Sequence, residues 1–164
     1  MGKQSLFVKR MTALAAALMF LVASGFTRVE AAAAGNLTPE QTEAVIEDAF
    51  GKLAAFDTQG VMSYFADDAT LEDPVGTPAV RGKEAITAYV DAFSSHFSQM
   101  KIYSIDIKVR GQEAAVTWRF RFKTKTGNVF FLDGVGIFKF NGEGKIESER
   151  EFFDLEYFIA QLQG

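Results

Sequence analysis

Hydrophobic positions along this chain follow a helical period up to residue 97 and a strand period after residue 101. Val45, Ala49, Leu53 and Phe56 recur at helical spacing, with Ile46 and Phe50 beside them. Thr38-Pro39-Glu40-Gln41 predicts the start of that helix: a threonine cap, a proline at the first turn and a glutamine that completes a capping box. Asp57 predicts the cap of a second short helix carrying Val61, Met62, Tyr64 and Phe65. Thr70 to Asp73 reads as a short extended piece stopped by Pro74 and Gly76. After Gly82, the segment from Lys83 to Phe97 puts Ile86, Tyr89, Val90, Phe93 and Phe97 on one face of a third helix.

From Lys101 the apolar residues alternate: Tyr103, Ile105, Ile107 and Val109, then a turn at Arg110-Gly111-Gln112. Val116, Trp118, Phe120 and Phe122 point one way; Thr117, Arg119, Arg121 and Lys123 point the other. Val129 to Phe140 is a long strand, largely apolar on both faces, and Asn141 to Gly144 is a hairpin turn. A last strand, Lys145 to Phe153, leads to a terminal helix near Asp154. Three helices followed by consecutive strands predict an α+β domain, with a curved antiparallel sheet wrapped around the helices.

The N-terminus changes the picture of where the domain works. Lys3, Lys9 and Arg10 precede the apolar stretch Met11 to Phe26, and Val29 and Ala31 suit the positions before a cut. This predicts a secretory signal over residues 1–31, cleaved near Ala31, and a mature domain over 32–164 that is exported to the periplasm or beyond. The alternative is an uncleaved anchor; in either case the membrane is met only through this segment.

Composition narrows the chemistry. With no cysteine, disulfides, thiolate catalysis and Cys-ligated metals are excluded, and the single His96, at the end of the third helix, cannot form a multi-histidine metal site. A net charge of −4 without a basic block argues against nucleic acid as a partner. The 17 phenylalanines predict a large aromatic core or a core with an apolar cavity.

The stretch YFADDATLEDPVGTPAVRGKEAITAYV, Tyr64 to Val90, resembles ketosteroid isomerase, and REFFDLEYF, Arg150 to Phe158, resembles limonene epoxide hydrolase and other SnoaL-like proteins. The resemblance implies the nuclear transport factor 2-like fold, a cone-shaped half-barrel around one apolar pocket. It places Asp73 at the isomerases' general base and Glu151 at the second acid of the hydrolases. At the isomerases' two oxyanion donors, a tyrosine and an acid, this chain has Ala49 and Gly136, which carry no donor. The hydrolases' water-holding Tyr and Asn correspond to Leu71 and Asp73.

Asp73 and Glu151 are therefore the expected catalytic carboxylates. The residues expected at the ligand are Phe65, Phe93, Trp118, Phe120, Phe122, Leu132, Gly134, Gly136 and Phe153. Gly134 and Gly136 either bend the strand or make room for the ligand. Asp133 and Arg119 are expected on the outer face, and Tyr64 and Tyr89 as packing residues. The implied function is a cofactor-free, metal-free isomerase, cyclase or hydrolase acting on a small hydrophobic molecule with Asp73 as base. The alternatives are a carrier for an apolar ligand and a dimeric assembly domain. A homodimer is expected, with the Arg119, Arg121 and Lys123 row set against Asp106 or Glu113.

Overall fold

A computed structural model describes residues 36–163; the signal segment and its cleavage position lie outside them. The elements run α1 (Pro39–Ala54), α2 (Thr58–Met62), β1 (Phe65–Glu72), β2 (Val80–Arg81), α3 (Lys83–Ser94), β3 (Phe97–Arg110), β4 (Glu113–Thr124), β5 (Val129–Phe140), β6 (Ile146–Phe152) and α4 (Leu155–Gln163). One six-stranded sheet has the order β2-β1-β6-β5-β4-β3. It curves without closing around the helices, which is the expected α+β half-barrel. Its pairs are antiparallel except β1 with β6, which run parallel.

Local chemistry starts the helices where the sequence predicts. Thr38 and Gln41 complete the capping box, each side chain accepting from the other's backbone N–H, with Pro39 at the first turn. The Asp57 carboxylate accepts from the Gly60 N–H at 2.9 Å and caps α2. Helix α2 is shorter than predicted. Tyr64 leaves it because its carbonyl accepts from the Ile146 N–H at 2.8 Å, and Phe65 then opens β1, which is correspondingly longer than the piece read from Thr70.

At the end of α3, Phe97 belongs to β3 and pairs with Thr124. The helical stripe carried it inward in either conformation: its ring lies 5.2 Å from Phe93 and 4.5 Å from Phe122. In β3 a register shift between Ser104 and Asp106 changes which residues face the core. Ile102 sits opposite Phe120 before it and Ile107 opposite Val116 after it. One extra residue reverses the alternation, so Tyr103 turns out to solvent, 41% exposed, while Ile107 packs against the core. The side chain of Ile105 lies outside the described set.

The core lies between the helices and the concave face of the sheet. Ile46 and Phe50 from α1 and Ile86 from α3 meet Val116, Trp118, Phe120 and Phe122 of β4, and Phe130, Leu132 and Phe138 of β5. Phe158 of α4 joins the Phe93, Phe122 and Phe130 rings at centroid distances near 6 Å.

Candidate active site

The parallel pairing of β1 with β6 assembles the site. Its register sets Leu71 beside Glu149 and Glu72 beside Arg150, so the next step along both strands brings Asp73 next to Glu151. The Val75 N–H donates to the Glu151 carbonyl at 2.7 Å and fixes the turn after Asp73, whose bond to Pro74 is cis, against β6. Strand alternation then sends Leu71, Asp73, Glu149 and Glu151 to the concave side.

There they meet a cavity of about 80 Å³. Of the residues expected at the ligand, Phe65, Phe93, Trp118, Phe120, Phe122, Leu132 and Phe153 line it, as do Asp73 and Glu151. Gly134 and Gly136 do not, and here the expectation is corrected. A Cβ at Gly134 would come within 2.2 Å of Trp118 Cζ2, and one at Gly136 within 2.6 Å of Glu151 Oε1. The space these glycines leave is taken by the indole and by the carboxyl.

Each carboxyl has its own surroundings. Asp73 Oδ2 accepts from the Tyr89 hydroxyl at 3.1 Å, and that hydroxyl also donates to the Asp73 carbonyl at 3.0 Å. Burial raises Asp73 from an ordinary 3.8 to about 6, against the opposing pull of the Tyr89 hydrogen bond. Glu151 is 7% exposed, and its Oε2 accepts from Trp118 Nε1 at 2.7 Å. Burial first, then the charges of Glu149 and Asp73, push it well above the carboxylate range; the Trp118 bond works against them. Burial also raises Glu149, from 4.5 to about 7, while a hydrogen bond from Glu151 pulls it down. Glu149 keeps some accessible surface although it lies deep, because it faces the cavity. Three carboxyls in one apolar space cannot all ionise at neutral pH. The site therefore holds a carboxylic acid and a carboxylate side by side, which is an acid and a base in one cavity.

Two polar residues of the cavity lie outside the expected set. Tyr89, expected as a packing residue, donates its hydroxyl to Asp73, and burial and the charge of Asp73 raise it above the usual phenol range. Glu149 carried a signal that was available: it stands two residues before Glu151 in a strand and so shares its face. Tyr64 instead bonds Asp48, and His96 is exposed and apart from the cavity lining. Arg119 and Asp133 lie on the outer face, as expected, and pair there at 2.7 and 3.0 Å. Among the described residues, no group of three or more carboxylates and imidazoles is placed to hold a metal ion.

Known proteins resemble this chain in sequence and in fold. The SnoaL-like domain profile covers residues 46–149. Steroid Delta-isomerase of Nocardioides simplex is 31% identical over 94 residues, which is 57% of this chain and 73% of that protein. Among solved structures, an NTF2-like protein of unknown function from Burkholderia pseudomallei K96243 superposes with a TM-score of 0.68 at 17% identity, over 75% of this chain and 98% of that one. The epoxide hydrolase/cyclase-like enzyme SalBIII, of pyran ring formation in the polyether salinomycin, gives 0.65 at 22% identity, over 71% and 93%. At these identities the two structures speak to the fold, whereas the profile covers more than half of the sequence: the chain belongs to the SnoaL-like domain family.

Proposed function

We propose that this protein is a cofactor-free acid–base enzyme of the isomerase or cyclase type, acting on a small hydrophobic molecule that carries a carbonyl or ether oxygen. Asp73 is the base and Glu151 the acid. The observation that carries this reading is the position of the Glu151 carboxyl. It presses on Gly136, the residue where the resemblance to the isomerases calls for an acid, from the neighbouring strand. The acid missing from β5 is thus supplied by β6, and burial keeps it neutral so that it can donate.

In the reaction, the Asp73 carboxylate removes a proton alpha to the substrate's carbonyl, and the oxygen on which charge develops receives a hydrogen bond from Glu151. The proton returns from Asp73 to a different carbon. One such donor is worth about 3–4 kcal/mol of transition-state stabilisation. The aromatic walls exclude water, and a cavity of about 80 Å³ suits a single ring or one end of a larger molecule. Similarity to a protein named for steroid isomerisation supports the reaction type.

The test is conversion of a monocyclic β,γ-unsaturated ketone to its conjugated isomer, followed by the rise in ultraviolet absorbance. Wild type should turn it over, and Asp73→Asn should lose at least about a hundredfold, the usual share of a general base. Equal rates in the two proteins would discard the enzyme reading and leave the carrier.

A second reading concerns assembly and export. The outer face of the sheet exposes Tyr103, Phe131 and Phe152 at 41–49% around the Arg121 row, which favours pairing of two copies through this face. Sedimentation of Arg121→Glu against wild type tests it, and an unchanged mass would remove it. Export follows the proposed signal over 1–31 and is tested by the N-terminus of the protein recovered from the cell envelope.

A further inference from the structure

Tyr89 stands on the apolar stripe of α3 with Ile86, Val90 and Phe93, and all four line the cavity. A phenylalanine at this position would fill the same space. What the hydroxyl adds is contact with one residue at two atoms: Asp73 Oδ2 at 3.1 Å and the Asp73 main-chain oxygen at 3.0 Å. One O–H carries one proton, so it serves these two acceptors in turn. Among the described residues, Asp73 Oδ1 accepts no hydrogen bond. The other titratable groups at this end of the cavity are Glu149 and Glu151 from β6, and no Lys, Arg or His lines it. Arg150 is turned to Glu72, at 3.6 Å, and the Trp118 N–H from β4 is taken by Glu151. Tyr89 is thus the donor to the Asp73 carboxyl.

From this geometry we propose that Tyr89 is the positioning residue of the base: its hydroxyl holds Oδ2, leaves Oδ1 to take the proton from the substrate, and turns to the Asp73 main-chain oxygen once the carboxyl is protonated. The proposal rests on the reading of Asp73 as the base. While the carboxylate is ionised, the bond to Oδ2 is charge-assisted, and the hydroxyl favours that acceptor. Oδ1 then forms an O–H bond as the substrate's C–H bond breaks, and the electron pair of that bond moves toward the substrate oxygen. Neutral Asp73 attracts the hydroxyl less, and the main-chain oxygen, at nearly the same distance, takes its proton instead. When Oδ1 gives its proton to the other carbon, the hydroxyl returns to Oδ2 and the starting state is restored. The Tyr89 proton stays on its own oxygen throughout, because burial and the charge of Asp73 hold the phenol above its usual range. Only a hydroxyl hydrogen rotates, and no buried donor is left unmade in either state through which the base must pass.

The experiment is a carbon NMR titration of protein labelled at the aspartate carboxyls, without substrate, on wild type and Tyr89→Phe, with Asp73→Asn to assign the signal. Loss of the donor to the ionised form should move the Asp73 midpoint upward by at least about one pH unit, a tenfold loss of acidity. The acidic limb of kcat/KM for the ketone should move with it, since that limb reports the base of the free enzyme. At about pH 5, turnover should accordingly fall at least about tenfold. Equal Asp73 midpoints in the two proteins, the result expected of a tyrosine that only packs, overturn the proposal. Should Tyr89→Phe fail to fold, wild type labelled at the tyrosine ζ carbons decides the matter. The Tyr89 signal should then move at the Asp73 midpoint, as the hydroxyl changes acceptor, and should lose that step in Asp73→Asn. A Tyr89 signal that stays in place while Asp73 titrates overturns the proposal. Because the titrations need no substrate, they stand apart from the Asp73→Asn turnover test, and the failure of one is distinguishable from the failure of the other.

Discussion

Replacing Asp73 by Asn should make the protein more stable and less active, and the pH at which the gain appears is set by the cavity. Burial raises Asp73 from 3.8 to about 6. At about 1.4 kcal/mol per pH unit, that difference amounts to about 3 kcal/mol of destabilisation once the carboxylate forms in the folded state. The sign follows from which state binds the proton. The folded pKa is the higher one, so the stabilisation is fully present below 3.8 and is lost as pH rises through about 6. Asn cannot ionise, and it retains an acceptor for the Tyr89 hydroxyl, so little else is lost. Urea unfolding of the two proteins should give nearly equal midpoints at about pH 3.5, and at about pH 8 a higher midpoint for Asp73→Asn, worth up to about 3 kcal/mol at unchanged slope. Removal of the Asp73 charge also eases ionisation of Glu149 and Glu151, which adds to the gain. If Asp73→Asn is equally or less stable at the higher pH, Asp73 is not a desolvated carboxylate and the account of the base fails.

Trp118→Phe should destabilise the protein by about 1–3 kcal/mol through the orphaned Glu151 oxygen alone, and should raise Glu151 further, visible as a more persistent protonated-carboxyl band in the infrared. Gly134→Ala should cost about 1–3 kcal/mol in denaturant unfolding, because the new Cβ is hemmed between the indole and the Phe152 carbonyl, 2.7 Å away. Thr38→Ala removes one half of the capping box and should cost about 1 kcal/mol, with turnover unaffected.

The elements that sequence made legible are those that local chemistry defines. Thr38, Pro39 and Gln41 announced α1, and the Val116 to Phe122 alternation announced β4 together with its buried face. Asp73 and Glu151 were reachable because short motifs surround them. Features that need a partner strand were not reachable. The reversal of facing in β3 depends on one extra residue opposite β4, which even spacing of Tyr103 and Ile107 conceals. The role of Gly134 and Gly136 depends on what leans over them from β4 and β6. Tyr89 lay on the apolar stripe of its helix, where a hydroxyl and a ring give the same signal, and only the approach of Asp73 separates them.

The parallel contact between β1 and β6 ties the beginning of the sheet to its end, with Leu71 beside Glu149. Strands β3 to β6 can zip as successive hairpins, whereas β1, whose local partner is the two-residue β2, must close a loop of most of the domain before it pairs with β6, and such long-range closures come late and slowly. Until then the carboxyls of both strands stand in water and are ionised at neutral pH. Docking β1 presses them together into an apolar space and draws protons from solvent. Docking of β1 against β6 is therefore also the step that protonates these carboxyls, and it ties the charge state of the cavity to the closure of the sheet.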